Sequence, residues 1–136
     1  MKRKNRALAA LLILTGIGTL LYWVNYFAVG DVRVVPERWY TAFEDSFPLA
    51  DGWMAIASVI AGLGLWRGAP WAARAGLLAG SALIFLAAMD ITFNIENGLY
   101  ALAATSAAMQ FEIAINLWTL LLGIATIVVN WRHAER

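Results

Sequence analysis

The sequence contains no cysteine, which excludes disulfides, thiolate metal sites and dithiol redox chemistry together. It has a single histidine, His133, in the charged C-terminal tail. Exposed tail residues rarely carry chemistry, so His133 reads as solvated. Charge is scarce: Asp, Glu, Lys and Arg make up 14% of the chain, against roughly 25% in a soluble domain. The scarcity is greatest inside the long apolar runs, which hold no Lys, Arg or His except Arg74 at the inner end of the third. No HxxxH or ExxH spacing occurs, so no metal motif is present, although all-oxygen ligands would suit a hard cation such as magnesium, calcium or manganese without specifying one. Neither a Gly-x-Ser-x-Gly nor a Ser-x-x-Lys nucleophile motif is present. No cofactor is implied. The basic start, Met1–Arg6, is too short for a nucleic-acid surface and fits a membrane-topology signal better.

What the chain does contain is apolar sequence. Hydrophobic residues make up 62% of it and the mean hydropathy is +0.68, values of a polytopic membrane protein. Four runs are long enough to cross a bilayer. They predict spans at about 7–29, 47–66, 71–94 and 102–131, with no room for a separate soluble domain. The expected fold is therefore all-α, a compact four-transmembrane-helix bundle forming one domain over residues 1–136. A cleaved signal peptide is the alternative for the first run. Its length, and its ending in Trp23, Asn25 and Tyr26, favour a retained span. The one long loop holds Pro36 followed by Glu37–Glu44. There Trp39 and Phe43 lie four residues apart, as do Tyr40 and Glu44. This predicts a short interfacial helix in the first outer loop, placed as a lid over the bundle. Ser46 and Pro48 suit the cap and first turn of the second span. Gly76 and Gly80 form a GxxxG pair, a spacing that lets helices approach closely.

Basic residues decide the orientation. Lys2, Arg3, Lys4, Arg6, Arg67, Arg74, Arg132 and Arg136 fall on one side with one acid, Glu135. Arg33 and Arg38 fall on the other with the remaining acids. Both termini are expected to be cytoplasmic, in a cell (inner) membrane crossed several times.

The polar residues inside the spans supply the candidate site. Asp90, Phe93, Asn94 and Asn97 share one helical face, and Asp90 is expected about one turn inside the hydrocarbon. A carboxylate there is costly and calls for a function. The fourth span carries a long polar stripe that includes Glu112, Asn116, Thr119, Thr126 and Asn130. Short connections make consecutive spans antiparallel neighbours. The stripes then converge in the outer half, bringing Asp90, Glu112, Asn94, Asn116, Asn97, Asp51, Asn25 and Tyr26 together beneath Glu44 and Tyr40. Asp51 has a plainer reading as well, since an acid in the first turn suits the helix dipole.

With no counter-charge in the spans, two carboxylates in a poorly solvated site cannot both ionise cheaply. Either one is protonated, or Arg33 or Arg38 folds down to pair with them, or they hold a cation. Three functions follow. The first is a cavity open to the outer side that binds a cationic or amphipathic small molecule or a lipid. The second is a membrane-embedded enzyme using Asp90 and Glu112 as an acid/base pair on a lipid-soluble substrate. The third is a structural subunit of a larger membrane complex or homo-oligomer. In that case the polar groups only hold helices together, at roughly 0.6 kcal/mol per hydrogen bond. A proton path is disfavoured because the inner half lacks ionisable groups.

Overall fold

The computed structural model describes the backbone of residues 3–134 and the side chains of residues 6–131. The reading of His133, and the side chains of Lys2, Arg3, Lys4, Arg132, Glu135 and Arg136, lie outside that set. Every element among the described residues is helical: α1 (Arg3–Ala28), α2 (Arg38–Glu44), α3 (Pro48–Arg67), α4 (Ala72–Glu96), a 3-10 helix (Leu99–Ala104) and α5 (Ala107–Ala134). α1, α3, α4 and α5 are long and apolar enough to cross a membrane. Their outward faces carry large apolar side chains such as Leu21, Val24, Phe85, Leu121 and Val128, each more than half exposed.

Local chemistry sets the helix limits. Pro48 begins α3, where its missing N–H costs nothing. Gly68, at φ +68°, ends α3 in the left-handed conformation, and Ala69 N–H reaches back to the Gly64 carbonyl at 2.9 Å. Ser46 does not cap α3: its hydroxyl donates to the Phe43 carbonyl, and Phe47 holds the cap position without a side-chain bond. Pro36 stands just before α2 rather than in its first turn, because Glu37 is the cap. The fourth span also starts later than the apolar run implies. Residues 99–104 wind as a 3-10 helix, and Ser106 then caps α5 by accepting the Met109 N–H at 3.2 Å. Gln110 tightens the junction by donating to the Ala103 carbonyl at 2.8 Å.

In the bundle, α1 packs along α3, α3 against α4 and α4 against α5, whereas α1 and α5 hardly touch. Small residues make the close crossings. A Cβ on Gly16 would lie 2.7 Å from the Ala55 carbonyl oxygen, and one on Gly62 would lie 2.7 Å from that of Ala9. On the other flank Gly80 and Gly123 lie back to back, each leaving room for the other's carbonyl at 3.0 Å. Gly76 seats the Asn130 amide, so the GxxxG pair lies in the α4–α5 contact. A glycine at each crossing lets the two backbones approach more closely than a larger side chain would allow. The main core runs through Leu8, Leu12, Met54, Ala61, Leu83 and Leu122. A second cluster, Tyr40, Leu99 and Met109, fastens α2 over the 3-10 helix and the start of α5.

Candidate functional site: an acid-lined cavity between α1 and α5

A partly open cavity of about 340 Å³ occupies the upper half of the bundle. Four carboxyl residues line it: Glu44 from α2, Asp51 from α3, Asp90 from α4 and Glu112 from α5. Thr15, Gly18, Thr19, Tyr22 and Trp23 form the α1 wall; Phe111, Ile115, Trp118 and Thr119 form the α5 wall. No Lys, Arg or His is among the lining residues. The sequence reading placed Asp90 and Glu112 in one cavity beneath the short helix, and this is the arrangement found. Of Thr15, Thr19, Tyr22 and Tyr26, whose spacing puts them on one face of α1, the first three line the cavity and Tyr26 does not.

The four acids differ in what holds them. Glu112 is engaged through both oxygens: Asn94 Nδ2 donates to Oε1, and the Tyr40 hydroxyl donates to Oε2 at 3.2 Å. Asn94 and Tyr40 are both fully buried. Tyr40 also accepts a bond from Val34 N–H at 3.4 Å, which ties the loop to the site. Asp51 accepts the Trp23 indole N–H at 2.9 Å. Its first-turn position near the positive end of the α3 dipole is favourable as well. Glu44 is only 7% exposed, yet its carboxyl has no hydrogen-bond partner among the described residues, and neither has that of Asp90. These two are the uncommitted groups of the cavity. The described acids do not cluster in the way needed to hold a metal ion.

α2 is held above the acids by ring packing. Phe43 lies flat on Phe93 of α4, with centroids 3.6 Å apart and planes at 3°. Tyr40 and Trp39 also pack on Phe93. Glu44 and Phe47 therefore line the cavity from the loop side. The most exposed lining residues, Leu14, Gly18, Phe111 and Trp118, lie on α1 and α5 instead.

The other sequence-predicted residues fall outside the lining. Asn116 is 2% exposed, and neither its Nδ2 nor its Oδ1 has a partner among the described residues. Asn25 Oδ1 is buried and unpartnered too. Tyr26 donates to Asp45 Oδ1 at 3.1 Å. Asn97 turns back onto its own helix, donating to the Phe93 carbonyl at 2.9 Å. Arg33 does not fold onto the acids. It donates to the Tyr26 carbonyl at 3.1 Å and stacks over the Tyr26 ring at 4.5 Å. Arg38 is exposed on α2. The inner part of the α5 stripe is spent on its own backbone: Thr126 donates to the Leu122 carbonyl and Asn130 to that of Thr126.

Sequence reasoning missed the links between distant helices. Trp23 at the end of the first run is buried against Asp51. Trp118 lines the cavity and donates to Thr15 Oγ1 at 2.9 Å, across 103 positions of chain. No family model, curated protein or solved structure matches this chain.

Proposed function

We propose that this chain is a multi-pass protein of a cell (inner) membrane, with both termini cytoplasmic, that binds a cationic amphipathic small molecule or lipid. One observation carries the reading: four carboxyl residues face one aromatic-walled cavity with no basic side chain in its lining. Burying that much acid without a partner is unfavourable, and a bound cation would offset it. Tyr22, Trp23, Phe111 and Trp118 add ring faces that favour a cation further.

The competing readings have less support. An enzyme using Asp90 with Glu112 needs both groups free to move protons, but both Glu112 oxygens are already engaged. A purely structural subunit would keep a small-residue face for its partner. Gly16, Gly62, Gly76, Gly80 and Gly123 are all consumed inside the bundle.

In the purified protein, dodecylamine is expected to raise the thermal unfolding temperature by several degrees, and dodecanol is not. A ligand at about 100 times its Kd stabilises by ~2.7 kcal/mol. Equal shifts from amine and alcohol would count against a cation site. Orientation has its own readout, made clean by the absence of native cysteine. A cysteine at Gly68 is expected to label only from the cytoplasm, and one at Asp45 or Gly98 only from outside. Outside labelling at Gly68 would overturn the topology.

A further inference from the structure

We propose that the ligand is a single-chain amine which reaches the cavity sideways, out of the hydrocarbon layer, through the seam between α1 and α5 at Gly18. The proposal rests on the cation-binding reading above and adds the ligand's shape and its route.

The seam is closed at two levels and open between them. Toward the outer side, the Tyr22 and Phe111 rings face each other with centroids 6.5 Å apart. Toward the middle of the bundle, Trp118 Nε1 donates to Thr15 Oγ1 at 2.9 Å. Gly18 lies between these closures on α1, with Ile115 on the α5 wall, and a Cβ on Gly18 would meet nothing within 4 Å. This glycine therefore does no packing, unlike Gly16 two residues earlier. A glycine inside a helix costs roughly 1 kcal/mol relative to alanine. At Gly18 that cost leaves a notch in the wall of an acid-lined cavity.

Size and charge define what passes through. A volume of about 340 Å³ is near the lower limit of the ~300–1,000 Å³ typical of small-molecule sites. It holds a polar head and the first carbons of a chain, and the notch lets the rest of the chain remain in lipid. A bulky polycyclic amphiphile meets the Tyr22–Phe111 and Thr15–Trp118 closures. An ammonium brings three N–H donors and no acceptor. Glu44, which is more than nine-tenths buried, and Asp90 are the lining carboxyls left to receive them.

The test uses hexadecylamine carrying a nitroxide on its chain, with the matching alcohol as control. Quenching of tryptophan fluorescence is followed after mixing with the full-length protein in detergent. Gly18→Cys supplies the only thiol, and N-phenylmaleimide closes the seam after folding, so the blocked sample needs no refolding. Unmodified Gly18→Cys, whose side chain enters the notch, is expected to bind the amine more slowly than the parent, and the blocked protein at least tenfold more slowly than unmodified Gly18→Cys. Glu44→Gln is expected to reduce amine-specific quenching at least tenfold in affinity. If blocking leaves the rate unchanged while Glu44→Gln still weakens binding, the seam route is wrong and the cation site stands. If amine and alcohol quench alike in the parent and in Glu44→Gln, the cation site itself fails.

Discussion

Replacing Glu112 with alanine is expected to destabilise the protein by about 2 kcal/mol or more, since each buried donor left without a partner costs roughly 1–3 kcal/mol. Two donors depend on this carboxyl, Asn94 Nδ2 and the Tyr40 hydroxyl, and both belong to fully buried residues. Hydrogen bonds between membrane helices average only ~0.6 kcal/mol in double-mutant cycles, because the unfolded chain in the membrane finds partners too. Truncation is harsher than removing a coupling, as it leaves both donors facing the gap. Glu112→Gln separates the two contributions. Its carbonyl can still accept from Asn94, but its NH₂ meets the Tyr40 hydroxyl and strands that hydroxyl's proton, a cost of ~1 kcal/mol. The order alanine, then glutamine, then parent should appear in thermal unfolding in detergent. Because Tyr40 is the bond from α2 to α5, amide exchange across residues 38–47 should speed up in Glu112→Ala before α3 or α4 is affected. Unfolding of Glu112→Ala within a degree of the parent would mean that the buried network contributes nothing measurable.

The four long helices were legible because each is a continuous apolar run, and hydropathy reads such runs directly. The start of α5 was not. Residues 99–106 are nearly as apolar as a span, and only the Ser106 hydroxyl on the Met109 N–H marks where the helix begins. The acids of the cavity were legible for a related reason: a carboxylate in an apolar run has to face inward. Helical periodicity gives a residue's direction around its own axis, but not which helix stands opposite. It grouped Asn97 with Asp90 although Asn97 bonds its own helix end, and it could not foresee Trp23 on Asp51 or Trp118 on Thr15. The seam was hidden for the same reason. Short connections bring α3 beside α4 and α4 beside α5, but no pattern within a helix tells how far α1 stands from α5.

Asp90→Asn is expected to leave the fold nearly intact and to weaken binding of an alkylamine by between about fivefold and about 700-fold. Asp90 has no hydrogen-bond partner among the described residues and is half-buried at the cavity wall. An amide of the same shape therefore strands no neighbour, and the change in stability should stay within about 0.5 kcal/mol. Binding is a different matter. A carboxylate about 4 Å from an ammonium contributes ~4 kcal/mol at an effective dielectric of 20 and ~1 kcal/mol in water. These limits convert to the stated range at 1.4 kcal/mol per tenfold. Glu112→Gln should show the opposite balance, a larger loss of stability and a smaller loss of affinity, since the Glu112 oxygens serve Asn94 and Tyr40 before they serve a ligand. The contrast between the two variants carries the test, because a site that is only helix glue has no reason to separate stability from binding. If Asp90→Asn and the parent take up the amine equally well, Asp90 does not face the ammonium and the cation site built on it is wrong.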